Sequence, residues 1–126
     1  MHDIAFIPDA DPYSISSDVA LFGDLIITTQ IPLKPDGEME LGDIHAQSEC
    51  TLLALKQALE KAGSSMARVL HLTIYLTHPA DRAGFNEVYK RYFSRPWPVR
   101  AGIGVAALGK SGMRVEVTAV AAKASA

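Results

Sequence analysis

The chain has one cysteine, Cys50, in 126 residues. A single thiol cannot close an internal disulfide, which excludes a small secreted scaffold stapled by disulfides. Cys50 falls inside an apolar helical pattern, where a buried small hydrophobe is the simpler reading than a nucleophile. No apolar run approaches the roughly 18 residues that a membrane-spanning helix needs. The first residues, Met1-His2-Asp3-Ile4-Ala5, lack the basic stretch and apolar core of an export signal. A cytoplasmic protein is therefore expected, without a membrane partner. Positive charge is not in excess either. The formal net charge is -2, and Lys56, Lys61, Arg68, Lys90, Arg91 and Arg95 are scattered, so a nucleic-acid partner has no electrostatic support.

Two kinds of site are also missing. The histidines, His2, His45, His71 and His78, make no metal-ligand pair with cysteine or carboxylate at helical or loop spacing, so no metal site is expected. There is no G-x-S-x-G elbow for a serine hydrolase. No repeat, low-complexity segment or interdomain linker interrupts the chain. What remains is an ordinary globular balance, 48% hydrophobic and 21% charged, at a length that suits one domain over residues 1–126.

The local patterns are readable along that length. Ile4 to Ile7 predicts a short strand. Asp18 to Phe22 and Leu25 to Thr29 predict a hairpin across Gly23-Asp24. Asp43 is placed to cap a helix in which Leu52, Leu55, Leu59 and Ala62 share one face, with Gly63 as its stop. From Val69 to Thr77, Leu70, Leu72, Ile74 and Leu76 alternate with His71, Thr73, Tyr75 and Thr77, the period of a strand. A second helix opens at Pro79-Ala80, carries Phe85, Val88, Tyr89, Tyr92 and Phe93 at helical spacing, and ends before Pro96-Trp97-Pro98. Val99 to Leu108 and Met113 to Ala122 read as a last strand pair around Gly109-Lys110-Ser111-Gly112. The order is β-β-β-α-β-α-β-β. Two helices cover one face of a six-stranded sheet, so the other face needs a partner and an oligomer is expected.

Gly104 to Ser111 matches the P-loop pattern G-x-x-x-x-G-K-[ST] letter for letter. The context rejects it. A P-loop needs a helix directly after it, because the helix N-terminus helps hold phosphate. Here Val105 to Leu108 reads as strand, and an alternating strand follows Gly112. A hairpin turn is the simpler expectation.

Arg100, in Pro98-Val99-Arg100-Ala101, is the residue that asks for an explanation. An arginine rising from an apolar strand must be paired, or it costs roughly several kcal/mol. Its planar fork suits a carboxylate. The following strand brings Glu116 into the same neighbourhood, so an ion pair at an interface and a site for a small acid from solution are both open readings.

Pro98-Val99-Arg100-Ala101, Leu108 and Val115-Glu116-Val117 together resemble the signature of the RidA/YjgF family of imine and enamine deaminases. Other segments agree in order and spacing: Tyr13-Ser14, Gln30-Ile31-Pro32, Gly42-Asp43-Ile44 with Gln47, and Phe85-Asn86-Glu87-Val88-Tyr89 with Tyr92-Phe93. The resemblance implies a chorismate-mutase-like α+β fold with a mixed sheet. It also implies a homotrimer with pockets between subunits, and hydrolysis of 2-imino or 2-enamino acids to 2-keto acids and ammonia without a cofactor. By the same resemblance Arg100 grips the substrate carboxylate, Glu116 handles the hydrolytic water, Tyr13 closes over the ligand, and Asn86, Thr28 and Thr29 line the pocket. Members whose role is binding or regulation rather than turnover, or a pathway-specific enamine, remain alternatives. The chain departs from the pattern in Thr28-Thr29, where relatives carry Ser-Gly, and in Gly102, where many carry Cys. It departs again in Ile15-Ser16 after Tyr13-Ser14, and in Ala54 before Leu55.

Overall fold

A computed structural model describes residues 3–124. His2 and both ends of the expected 1–126 domain lie outside the described residues. The strands are β1 (Ile4–Pro8), β2 (Ser17–Phe22), β3 (Leu25–Gln30), β4 (Val69–Leu76), β5 (Val99–Gly104) and β6 (Val115–Ala122). The helices are α1 (Ile44–Lys61) and α2 (Arg82–Tyr92), so the element order is the expected one.

The local signals act where the sequence places them. Gly23 takes φ +60 between Phe22 and Leu25, which pair across the turn. Positive φ at the first turn position suits a two-residue hairpin, and glycine adopts it without steric cost. The Asp43 carboxylate accepts the Ala46 amide at 2.8 Å and caps α1. At the other end Gly63 takes φ +85, and the Ser64 amide returns to the Leu59 carbonyl at 2.8 Å. Pro79–Asp81 forms a 3-10 turn that leads into α2.

The six strands form one sheet in the order β1-β2-β3-β6-β4-β5. Every pairing is antiparallel except β4 with β5, which run parallel with α2 as the crossover. This corrects the expected final hairpin. β6 lies between β3 and β4 and never pairs with β5. Strand β5 ends at Gly104, so Val105 to Leu108 and the glycines around Lys110-Ser111 belong to a connection rather than to a strand or a tight turn. Tight hairpins join strands through about two to five residues, and the connection 105–114 is longer than that. Because β6 follows Ser111, no helix stands where a P-loop requires one.

Both helices lie on one side of the sheet. Leu52, Leu55 and Leu59 of α1, Phe85 and Val88 of α2, and Ile26, Leu72, Ile74, Val115 and Val117 of the sheet form the buried core. β4 shows one departure from its expected alternation. The register shifts between Val69 and His71, and Leu70 is exposed instead of joining Leu72, Ile74 and Leu76 inside. A bulge inserts one residue and changes the phase of the strand, which returns Val69 to the core in place of Leu70.

The opposite sheet face carries Ile4, Phe6, Phe22, Leu25 and Ile27, all exposed, beside Val99 and Ile103 on the edge strand. Cross-strand register places Ile4 beside Phe22 and Phe6 beside Ala20, on the same side as Ile27. This many large apolar side chains on one face is the pattern of a contact surface.

Candidate functional site

The register of β5 sets the direction of Arg100. It pairs with Leu72, which is fully buried beneath the helices, so Arg100 leaves the sheet on the helix side. There its Nη2 donates to Asn86 Oδ1 of α2 at 2.6 Å. Its guanidinium carbon stands 4.5 Å from the Tyr89 ring centre and 5.9 Å from that of Phe85. Tyr89 is in turn stacked on Phe93 at 4.6 Å and on Trp97 at 5.8 Å. Trp97, between its two prolines, thus completes an aromatic bed beneath Arg100. Burial raises the Tyr89 pKa, and the nearby guanidinium offsets part of that rise. The Tyr89 hydroxyl is buried without a well-formed hydrogen bond.

These partners orient the guanidinium but leave its charge unneutralised. Among the described residues no carboxylate forms an ion pair with Arg100. The acids on α2 and just before it are engaged elsewhere: Glu87 pairs with His45 at 2.8 Å. Asp81 accepts Arg114 Nε at 2.7 Å and Nη2 at 2.9 Å. A charged, oriented fork backed by aromatic faces suits a planar anion such as a carboxylate. Beside it is a small cavity of about 140 Å³, whose lining includes Arg100, Phe85, Gly102 and Arg82.

The other expected site residues fall elsewhere in the chain. Glu116 pairs with Tyr75 on β4, between Val115 and Val117, which both point into the core. It therefore leaves the sheet on the face opposite Arg100, and the shared neighbourhood expected for the two is not formed within one chain. Thr29 lies on the Glu116 side, where its hydroxyl meets that of Thr118 at 2.8 Å. Thr28 turns inward, is buried, and donates to the Asp18 carbonyl at 2.7 Å. Gln30 Nε2 donates to the Asp18 carboxylate at 2.8 Å and to Thr28 Oγ1 at 3.0 Å. Tyr13 is 91% exposed and lies in the loop between β1 and β2, on the rim of a groove of about 830 Å³ that also includes Asp11 and Gln30. Asn86 alone is brought to Arg100.

Two participants in this arrangement carry weaker sequence signals. Tyr89 reads as core packing from its spacing, and it is buried, but its face also supports Arg100. Arg82 shares the cavity with Arg100 and stands four residues before Asn86, on the same side of α2. That spacing is the signal that could have singled it out.

The fold and site define a small α+β domain with one covered and one bare sheet face, and a guanidinium held between a helix and the edge strand. The chain belongs to the RidA/YjgF/RutC family, whose description is Endoribonuclease L-PSP and which matches residues 7–123. Protein DfrA of Myxococcus xanthus is 40% identical over 111 residues, 87% of this chain and 84% of that protein. The 2-iminobutanoate/2-iminopropanoate deaminase of Capra hircus is 33% identical over 111 residues, 87% of this chain and 79% of that one. The crystal structure of RidA from an Antarctic Psychrobacter superposes with a TM-score of 0.82 at 30% identity, covering 92% of this chain and 93% of that one. Among the described residues no helix is long and apolar enough to cross a membrane.

Proposed function

We propose that this chain, one RidA/YjgF-like domain over residues 1–126, is a cytoplasmic hydrolytic deaminase that converts 2-imino or 2-enamino acids to 2-keto acids and ammonia. The observation that carries this reading is the Arg100 guanidinium, held by Asn86 and Tyr89 with no carboxylate paired to it among the described residues. The similarity to a named 2-iminobutanoate/2-iminopropanoate deaminase supports the chemistry.

The reaction needs little machinery. In a 2-imino acid the C=N carbon is already electrophilic. Arg100 would hold the carboxylate and fix that carbon in place. Glu116 would take a proton from water as the new C–O bond forms and return it to nitrogen, giving a carbinolamine. It would then carry the hydroxyl proton to nitrogen as the C=O bond forms, the C–N bond breaks and ammonia leaves. Metal, cofactor and covalent nucleophile have no step to perform in this scheme. The formal net charge of -2 and the confinement of Arg100 to a small cavity argue against a phosphate-backbone partner.

Since Arg100 and Glu116 leave opposite faces of the sheet, the reading requires a second copy. Strand β5 is the sheet edge, so the Arg100 cavity lies at a rim that another copy's apolar face can approach. A homotrimer, with each pocket drawing Arg100 and Asn86 from one subunit and Thr29 and Glu116 from its neighbour, satisfies both requirements. Tyr13 would close over the ligand from its exposed loop, and Thr28 would act through the Thr28–Gln30–Asp18 network behind Thr29.

The test is hydrolysis of an imine generated in place by an amino-acid oxidase, followed by semicarbazide trapping. The wild-type protein is expected to shorten the life of the imine, and Arg100→Ala to abolish the effect. Equal rates for the two would sink the reading. Binding of a 2-keto acid with no turnover of any imine would favour a carboxylate-binding protein instead.

A further inference from the structure

The cavity beside Arg100 contains a second guanidinium. Arg82, the first residue of α2, lines it together with Arg100, Phe85 and Gly102, and no acidic residue is part of the lining. Arg82 has no ion pair or hydrogen bond to a side chain among the described residues. The adjacent acid, Asp81, would be its natural partner, but the Arg114 fork already occupies both Asp81 oxygens. Among the described residues of one chain, the cavity thus has two cationic side chains and no acidic one.

Gly102 permits this arrangement. A Cβ at that position would stand 3.5 Å from Arg82 Nη2 and 3.9 Å from Cζ. A methyl group is tolerated there, but a longer side chain would compete with the guanidinium for the same space. The missing side chain at 102 and the arginine at 82 are therefore two parts of one feature, with the charge of Arg82 occupying the space that a residue at 102 would fill.

We propose that Arg82 is a second carboxylate-binding residue of the Arg100 site and that the favoured substrates are imines of dicarboxylic amino acids. This rests on Arg100 as the clamp for the carboxylate beside the imine. A monocarboxylate satisfies Arg100 and leaves the exposed Arg82 guanidinium at the same cavity without a carboxylate. A short dicarboxylate satisfies both, and each arginine can make a charge-assisted pair with one end. Two guanidinium groups lining one small cavity suit carboxylates joined by a short spacer.

The direct test is calorimetric binding of succinate against butanoate, acids of equal carbon number that differ by one carboxylate. The wild type is expected to bind succinate more tightly by roughly two- to five-fold, the range left to a charged contact made by an exposed guanidinium. Arg82→Met should bring that ratio close to one, Arg82→Lys should restore part of it, and Gly102→Val, which displaces Arg82 without removing it, should also lower it. Arg100→Ala should weaken both acids. Equal binding of the two acids by the wild type, binding of neither, or an Arg82→Met loss that falls on both acids alike would each overturn the proposal. The rates of 2-iminosuccinate and 2-iminopropanoate hydrolysis separate this inference from the deaminase reading. Succinate preference without hydrolysis of either imine leaves the Arg82 site standing and removes the deaminase. Hydrolysis of both imines without preference does the reverse.

Discussion

Arg100 and Glu116 stand on opposite faces of the same sheet, the first on the helix side beside Leu72 and the second on the bare side beside Tyr75. If the two act on one substrate, they do so from different subunits, and that has a consequence which a site within one chain would not show. Arg100→Ala and Glu116→Ala should each be inactive alone. Unfolded together in equal amounts and refolded, they should regain activity, because some interfaces then combine an intact Arg100 with an intact Glu116. Random mixing gives roughly a quarter of interfaces that pairing in a cyclic oligomer. Imine hydrolysis by the mixture, compared with each variant refolded alone, measures it. A mixture as inactive as its components would place both residues in one subunit's site or remove one of them from the chemistry.

The bare face makes a separate prediction about assembly. Ile27 is exposed at the middle of β3 and shares its face with Phe6, Phe22 and Leu25. Replacing it with a charged residue leaves the core on the other side of the sheet untouched. Ile27→Glu should therefore yield a folded monomer, because burying an unpaired carboxylate in an apolar contact costs more than the contact returns. Analytical ultracentrifugation of the wild type and the variant at micromolar concentration gives the answer. A variant that stays oligomeric would assign the contact to another surface.

Much of this architecture was legible from short-range patterns. Gly23, Asp43 and Gly63 each act where a local rule places them, and the apolar spacing of Leu52, Leu55 and Leu59 marks the buried side of α1. The rule failed where the information was not local. Pairing of β6 with β3 and β4, rather than with β5, depends on residues far apart in the chain, and a glycine-rich connection cannot distinguish a turn from a crossing loop. Leu70 was misplaced because a bulge shifts the phase of a strand without changing its composition. The candidate site was partly legible for the same reason. Arg100 stands out as a charge in an apolar strand and Asn86 through motif resemblance, whereas the side of the sheet on which Glu116 lies follows only from the register.

The connection 105–114 is held by a side chain from α1. Gln47 is fully buried, and its Nε2 donates to the carbonyls of Gly112 at 2.9 Å and Gly42 at 3.0 Å. Its Oε1 accepts the Arg114 amide at 2.7 Å. Gln47→Leu keeps most of the volume and leaves these backbone groups without their partner. The expected loss is roughly 2–4 kcal/mol, the cost of a few unsatisfied buried groups. Urea denaturation reads it as a lower midpoint with an unchanged slope. A loss below about 0.5 kcal/mol, typical of surface substitutions, would mean that water replaces the side chain at that junction.

Tyr92 gives the fold an alkaline limit. Its hydroxyl donates to Glu49 Oε1 at 2.5 Å, across the contact between α2 and α1. Burial first, then the hydrogen bond and the charge of Glu49, push the Tyr92 pKa up to about 12, against an ordinary value of about 10. Since the folded value is the higher one, the neutral phenol is favoured by folding. Its contribution is complete below about pH 10 and is lost as the pH rises towards about 12. Because Tyr92 is partly exposed, solvent screening reduces the effect. Tyr92→Phe removes both the proton and the bond, so its stability should be lower at neutral pH and should fall less steeply across the alkaline range. Urea unfolding at a series of pH values, for the wild type and Tyr92→Phe, measures the difference in slope. Parallel curves through that range would show that Tyr92 titrates alike in the folded and unfolded chains, and that the Glu49 contact does not hold its proton.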